Sequence, residues 1–181
     1  SPMELVPFYQ LHECRYMVYW NLVSQSDLAE QQKKLAEQEQ KQMELDAVTL
    51  DRVICGEQQP ESDHFMEMLN SNTGSDEDIH WREARDNGWF SYLMKTQTDT
   101  VAQIRIVYKG LPSRDATVWV NDVKVGTLTS VVSNELSISE FALPQALQGE
   151  KQLRVKIGTA TSKTTVRIYE VRLVKNAEPT K

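Results

Sequence analysis

The chain has 181 residues, 40% of them hydrophobic, and a formal net charge of -6 at pH 7. This length can bury one good core, or one domain with an appendage, but hardly a second complete domain. The bases form no stripe with interleaved aromatic residues, which argues against nucleic acid as a partner. No apolar run approaches the roughly 18 residues needed to span a membrane, which argues against a membrane partner.

The first predicted element is a strand within residues 6–23, where rough alternation ends in a nearly continuous apolar run from 16 to 23. Such a run is typical of a strand that is covered on both faces. It has no obvious neighbour in the chain. We therefore expect residues 1–24 to complete an upstream sandwich domain and the chain to be a C-terminal fragment of a larger protein.

A helix is predicted at 27–44, within a connecting segment at 25–47. Asp27 and Glu30 have the spacing of a capping box, and Glu30 and Lys34 form a favourable i,i+4 pair. The apolar stripe is narrow and the remaining positions are rich in glutamine, which indicates a helix on a surface.

From residue 48 onward the periodicity of apolar residues falls to two, as in half-buried strands. Asn121-Asp122 is typical of a two-residue hairpin turn, and a change of phase at Ile168-Tyr169 predicts a β-bulge. The predicted strands are 48–55, 89–96, 101–108, 117–120, 123–125, 138–143, 153–157 and 165–174.

About eight strands with one helix in front predict an all-β fold. We expect a jelly-roll β-sandwich over residues 48–176, preceded by the N-terminal strand and the surface helix, with a tail at 177–181. Residues 56–94, which follow the first sandwich strand and reach into the second, are predicted to form a long ordered loop, since connections beyond about 12–15 residues tend to be functional or disordered and the tryptophans argue against disorder.

This loop supplies the side chains that bind carbohydrate: aromatic rings that stack on sugar faces, and amides, carboxylates and guanidinium groups that bind hydroxyls. We expect Trp81 and Arg82 at the rim of a concave surface. The predicted ligand-binding residues are Glu57, Gln58, Asp63, His64, Trp81, Arg82 and Trp89. In the alternative, the polar groups only satisfy a buried backbone, one of Trp89 and Phe90 points into the core, and Trp119 is a packing residue.

Cofactors and catalytic residues are not predicted. The histidines and cysteines offer too few ligands at suitable spacing for zinc, and no motif of an activated nucleophile is present. Calcium stays open as an alternative, either at 76–78 or around Glu57 and Asp63, because oxygen ligands abound there. Cys14 and Cys55 are expected to be buried thiols, since two cysteines make no disulfide framework.

Four segments resemble the C-terminal region of bacterial β-L-arabinofuranosidase-like glycoside hydrolases, families 127 and 146. They are FYQLHECRYMVYW at 8–20, LDRVICGEQQPESDH at 50–64, NSNTG at 70–74 and WREARDNGWFSYLM at 81–94. The chain is also similar to galactose-binding-type jelly rolls, in which strands like GWFSY and QLRVKI recur.

In these hydrolases the resemblance implies catalysis in an N-terminal helical barrel, by a cysteine nucleophile beside a cysteine- and glutamate-bound zinc, followed by β-sandwich domains. Nothing in this chain matches that motif, so neither Cys14 nor Cys55 inherits the role. The resemblance implies a non-catalytic, substrate-binding accessory domain. On this resemblance, the domain would bind arabinose-containing plant polysaccharide. It would also contact the catalytic domain of the same parent chain, and the protein would be periplasmic or secreted. The alternative is a structural module that buttresses the catalytic domain.

Overall fold

The computed structural model describes residues 25–96, 102–129 and 135–175. The chain divides into two compact units, residues 1–42 and 43–181. The predicted strand at 6–23, the tail at 177–181 and Cys14 lie outside the described residues, so these predictions stay open.

The long helix α1, Gln25–Val48, extends beyond the predicted helix at both ends. Because it begins at Gln25, Asp27 lies inside the first turn and cannot be the N-cap, so the predicted capping box is wrong. The predicted pair of Glu30 and Lys34 is confirmed at 2.8 Å. The apolar residues of the predicted stripe on α1 remain exposed, as expected of a surface helix; Leu35 is 56% exposed.

Nine strands and two short helical turns follow among the described residues. The strands are β1 Thr49–Ile54, β2 Glu67–Asp76, β3 Ile79–Lys95, β4 Ala102–Lys109, β5 Ala116–Val120, β6 Val123–Leu128, β7 Ser137–Ala142, β8 Gln152–Gly158 and β9 Arg167–Lys175. A short helix α2, Gln58–Asp63, lies between β1 and β2, and a 3-10 turn, Gln145–Leu147, precedes β8. The prediction of an all-β fold is confirmed.

All strand pairs are antiparallel, in the order β6-β5-β8-β3-β9-β4-β7, with β1 added to β9 and β2 added to β3. The strands form two layers, and β3 belongs to both. Its second half pairs with β8, whereas Arg82 in its first half pairs with Ile168 of β9. The outer strands β6 and β7 meet where Phe141 lies against Gly126, so the sandwich is nearly closed.

The core lies between the layers and follows the alternation of the strands. On β3 the core face carries Phe90, Tyr92 and Met94, each fully buried. The expectation that one of Trp89 and Phe90 points inward is therefore confirmed, with Phe90 as the inward residue. Burial of this apolar surface, at about 25 cal/mol per Å², is the main term that stabilises the sandwich.

Two local predictions from the sequence are confirmed by the backbone. Asn121 and Asp122 both have left-handed φ angles, 45° and 64°, as the tight turn between β5 and β6 requires. In β9 the register against β4 shifts at Tyr169, because Val107 pairs with Glu170 while Tyr108 pairs with Ile168. Tyr169 is therefore the extra residue of the predicted bulge.

The prediction of a long loop at 56–94 is wrong. This segment contains α2 and a hairpin of two long strands, β2 and β3. The sequence hides the hairpin because β2 has exposed or half-buried residues on both faces, so apolar and polar residues do not alternate. A bulge then interrupts β3.

Candidate functional site

A bulge in β3 shapes the outer face of one layer. Asp86 and Asn87 adopt left-handed backbone angles, φ 50° and 58°. Their amides donate to the carbonyls of Lys163 and Ala160, at 2.8 and 3.1 Å. The bulge is thus fixed to the loop before β9, and it fixes the positions of the residues that follow it. A Cβ at Gly88 would lie 2.5 Å from the carbonyl oxygen of Arg85, so a glycine is needed there.

A cleft of about 260 Å³ lies beside this bulge, on the outer face of β3, β8 and β5; we call it the tryptophan cleft. It is lined by Leu69, Asn87, Gly88, Trp89, Trp119, Lys156, Gly158 and Thr159. Trp89 and Trp119 are half-buried and stand on the two strands that flank β8. Gly158 lies beneath them: a Cβ there would be 2.9 Å from the Cβ of Trp89 and 3.4 Å from the ring of Trp119. The absence of a side chain at Gly158 keeps the space between the indoles open.

Polar groups complete the tryptophan cleft. The Lys156 ammonium lies 5.3 Å from the ring centroid of Trp89 and 5.6 Å from that of Trp119, within cation–π range of both. Its nearest carboxylate in the described chain is Asp122, at 3.7 Å on a side chain that is 91% exposed, which is a weak pair. The side-chain amide of Asn87 has no hydrogen-bond partner among the described residues. The cleft therefore combines two apolar ring faces with a cation and an uncommitted amide.

A second cavity, of about 530 Å³, lies between α2 and the β2–β3 hairpin; we call it the polar cavity. It is lined by Gly56, Gln58, Glu61, Ser62, Phe65, Met66, Thr73 and Arg82. Glu61 and Arg82 are buried and form a bidentate pair with both N–O distances at 2.6 Å. Such a pair is charge-neutral and geometrically fixed.

Further hydrogen bonds to Glu61 hold this pair in place. Its Oε1 accepts from the Gly56 amide at 2.8 Å and from the Tyr92 hydroxyl at 2.7 Å. Burial by itself would raise the pKa of Glu61, but the hydrogen bonds from Arg82, Gly56 and Tyr92 outweigh it and lower the pKa. Glu61 is therefore an anion that accepts three hydrogen bonds at Oε1 and one at Oε2, which suits a structural role and not proton transfer.

Trp81 is buried, 8% exposed, and the expectation of an exposed rim platform is wrong. Its ring packs against the backbone of Gly74, where a Cβ would lie only 2.3 Å from the indole. The Arg167 guanidinium covers the ring at 4.2 Å from the centroid, and the indole N–H donates to Asp76 at 3.3 Å. Burial on a sheet face and a paired N–H explain why this tryptophan serves the fold.

The other predicted residues are divided among several places. Arg82, expected at the rim, is 5% exposed because Glu61 pairs with it below the polar cavity. His64 lies between the carbonyl of Pro60, at 2.6 Å, and Asp51, at 3.0 Å, and so joins α2 to β1.

Of the remaining four, Glu57, Gln58 and Asp63 are exposed and Trp89 is half-buried. Asp63 accepts from Gln59 on the surface, and Glu57 is an exposed residue that precedes α2. Gln58 lines the polar cavity and Trp89 the tryptophan cleft. The structure therefore does not bring the seven residues into one surface.

The lining residues that the sequence interpretation missed include Trp119 and Lys156 in the tryptophan cleft and Phe65 in the polar cavity. The alternation of β5 contained the signal for Trp119: Val118 and Val120 are fully buried, so the residue between them points outward. The same argument places Trp89 opposite Phe90. Which outward residues become neighbours depends on strand order, which the sequence does not specify.

In the described part of the chain no cluster of three or more histidine, cysteine, aspartate or glutamate side chains is arranged to hold a metal ion. Asp76, one of the calcium candidates, instead binds Arg167, Lys109 and Tyr169. Cys55 is a free thiol and fully buried, as expected, and burial raises its pKa. Among the described helices none is long and apolar enough to cross a membrane.

Comparison with solved structures identifies the fold as the jelly-roll β-sandwich found in carbohydrate-binding modules. A family 35 carbohydrate-binding module from Clostridium thermocellum matches with 8% identity and a TM-score of 0.52, over 69% of this chain and 98% of that chain. The GH26-CBM35 β-(1,4)-mannanase of Podospora anserina matches with 10% identity and a TM-score of 0.54, over 74% and 29%. A CBM6 module of Cellvibrio mixtus lichenase 5A, in complex with cellotriose, matches with 10% identity and a TM-score of 0.51, over 71% and 99%.

The chain belongs to a family described as a family of unknown function, DUF6805, whose model matches residues 44–174. The matches with solved structures show the fold and confirm the predicted jelly roll. No curated protein matches the sequence.

Proposed function

We propose that this chain is a carbohydrate-binding module and that the tryptophan cleft is its binding site. The observation that carries the proposal is the pair of half-buried tryptophans on either side of Gly158, with Lys156 and Asn87 between and beside them. Sugar rings present C–H groups that pack on aromatic faces, and their hydroxyls bind amides and ammonium groups. Matches to carbohydrate-binding modules of families 35 and 6 support the same conclusion.

The finer proposal follows the sequence resemblance. The module accompanies a bacterial glycoside hydrolase that acts on arabinose-containing plant polysaccharide, it carries no catalytic residue, and it works in the periplasm or outside the cell together with the catalytic domain of its parent chain. The competing proposal is a structural module that buttresses the catalytic domain without touching sugar. The tryptophan cleft supports the sugar-binding function over the structural one, because a purely structural module does not need an open cleft between two indole rings.

Calorimetric titration of the intact chain with arabinotriose and with cellotriose tests the proposal. We expect Trp89→Ala and Trp119→Ala each to weaken binding by about tenfold or more, which corresponds to about 1.4 kcal/mol for one stacking contact. Both side chains are half-buried on an outer face, so the unfolding midpoint should change little. Gly158→Ala should also weaken binding, but its Cβ would lie 2.9 Å from the Cβ of Trp89 and 3.0 Å from the Gly88 carbonyl oxygen, so this variant should lower the unfolding midpoint as well.

The matched control is Ile138→Ala, which removes an apolar side chain that is 55% exposed on another strand and should leave affinity unchanged. Equal affinity of the wild type and both tryptophan variants would remove the tryptophan cleft as the site. Absence of binding to any arabinan or glucan, together with tight association with a catalytic domain, would favour the buttress.

A further inference from the structure

Phe65 occupies an unusual position at the polar cavity. Its side chain is 65% exposed, and its backbone has a left-handed φ of 46°, which a bulky residue rarely adopts. The conformation is held from both sides: the Phe65 amide donates to the carbonyl of Ser62 at 3.1 Å, and its carbonyl accepts from Arg154 at 2.9 Å. The left-handed backbone closes the end of α2, because the Phe65 and Met66 amides donate to the carbonyls of Ser62 and Glu61, both at 3.1 Å. This role needs only the backbone and leaves the exposed ring without a part in the core.

Three polar side chains of the polar cavity are uncommitted. Gln58, Ser62 and Thr73 are exposed, and none of their side chains has a hydrogen-bond partner among the described residues. They provide one amide and two hydroxyls, groups that both donate and accept. The ring of Phe65 and the thioether of Met66 supply the apolar part of the same lining.

The charges of the polar cavity indicate the class of ligand. The charged lining residues are Glu61 and Arg82, and their bidentate pairing cancels the charge at the floor. Arg82 has further contacts, with Ser71 Oγ at 3.1 Å and Met68 Sδ at 3.2 Å, so its guanidinium is not available for an anion. A carboxylate or phosphate would gain no free cation here. A neutral, hydroxyl-rich molecule matches both the polar and the apolar groups.

We infer that the polar cavity is a second, separate saccharide site, which takes a neutral sugar unit against the ring of Phe65. The two cavities share no lining residue, so this site goes beyond the one proposed at the tryptophan cleft. A module with two sites can hold two points of one polysaccharide, or two chains, and then binds a polymer more tightly than either site binds a short oligosaccharide.

Amide spectra of the ¹⁵N-labelled intact chain can test each site separately, because each cavity contains its own glycines. Gly56 reports on the polar cavity, and Gly88 and Gly158 report on the tryptophan cleft. L-arabinose, arabinotriose and cellotriose are titrated in turn. We expect at least one of them to shift the amides of Gly56, Ser62 and Thr73, with a dissociation constant that differs from that of the cleft.

Variants then assign the shifts. Phe65→Ala should abolish the shifts at Gly56 and leave those at Gly158, whereas Trp119→Ala should do the opposite. Ile79→Ala removes a side chain that is 50% exposed outside both cavities, and it should leave both sets unchanged. Phe65→Gly should also lose the shifts while it raises the urea midpoint, because glycine accepts the left-handed backbone without strain.

The two proposals can fail independently. Shifts confined to Gly88 and Gly158 with all three sugars overturn the second site and leave the proposed function intact. Shifts at Gly56 that survive Phe65→Ala also overturn it. Shifts at Gly56 alone support the second site and remove the tryptophan cleft.

Discussion

Asp76 is the residue on which the largest number of described polar contacts converge. Its carboxylate accepts from the Tyr169 hydroxyl at 2.7 Å, from Arg167 at 2.8 and 3.0 Å, and from Lys109 at 3.3 Å. It lies at the end of β2 and joins that strand to β4 and β9. The hydrogen bond from Tyr169 is the main cause that lowers its pKa to about 2; Lys109 and Arg167 act in the same direction, against the effect of burial.

Acid should therefore weaken the fold through Asp76. A carboxyl group whose pKa is lower in the folded than in the unfolded chain stabilises fully above the unfolded value of 3.8, and the contribution is lost as the pH falls through about 2. We expect the unfolding free energy from urea titrations to drop between pH 4 and pH 2, and to drop less in Asp76→Asn. Asp122→Asn, which removes an exposed carboxylate, is the control. Parallel curves for the wild type and Asp76→Asn would contradict this assignment.

Individual residues were the hardest part of the site to predict. Trp81 and Trp89 belong to the same strand, yet one is buried under Arg167 and the other lines the tryptophan cleft. The difference comes from Arg167, which is 86 positions further along the chain. Arg82 was predicted to be an exposed, ligand-binding residue for a similar reason. Its buried partner Glu61 belongs to the helix α2, in a segment where the sequence predicts a loop.

At the scale of elements, the contact between β6 and β7 nearly closes the sandwich. Gly126 of β6 leaves space for the ring of Phe141 from β7; a Cβ at Gly126 would lie 2.1 Å from that ring. This approach brings together the two outer strands of the sheet order, and edge strands are otherwise open to unwanted pairing.

Gly126→Ala should therefore destabilise the protein by about 1–3 kcal/mol, the usual cost of overpacking. In Phe141→Leu the smaller side chain leaves room for the added methyl group, so the double variant should lose less than the sum of the two single variants. Denaturant unfolding of all four proteins measures this coupling. An additive result would show that the ring of Phe141 moves away without strain.

Elements with regular alternation were predicted well, and those without it were not. The strands around Ile104 and Val155, the turn at Asn121 and the bulge at Tyr169 follow from local patterns. The sequence does not predict β2, because this strand pairs with β3 alone and has no fully buried position. No periodicity of apolar residues therefore distinguishes it from a loop. The pairing partner, and not the local sequence, makes this segment a strand.

At the scale of the whole molecule, the end of α1 contributes to the sandwich. Arg172 of β9 is 1% exposed, and its guanidinium is shared by Glu170 at 2.6 Å, Asp46 of α1 at 2.6 Å and Thr49 at 2.9 Å. A buried cation is tolerated only when its hydrogen bonds are completed. The boundary of the compact unit at residue 43, ahead of Asp46, agrees with this requirement.

Two truncated chains should differ in stability because of the contact between Arg172 and Asp46. A chain that starts at Thr49 lacks Asp46, and we expect it to be less stable than a chain that starts at Met43 by about 1–3 kcal/mol, the cost of a buried donor without its partner. Asp46→Ala in the intact chain should reproduce the loss, whereas Glu39→Ala on the exposed part of α1 should not. Thermal and urea unfolding measure the difference. Equal stability of the two truncated chains would show that water replaces Asp46.

The 17-residue strand β3 also limits how the sequence can change in length. Trp89 faces outward and Phe90 inward, so the insertion or deletion of a single residue between Gly88 and Met94 would exchange the two faces. If the change fell directly after Gly88, the indole of Trp89 would enter the core, and the rings of Phe90 and Tyr92 would turn to the outer face. The bulge cannot take up such a change, because its amides are bound to Lys163 and Ala160. We therefore expect family members to vary in length at the hairpin tip near Glu77 and to keep the length of this half of β3.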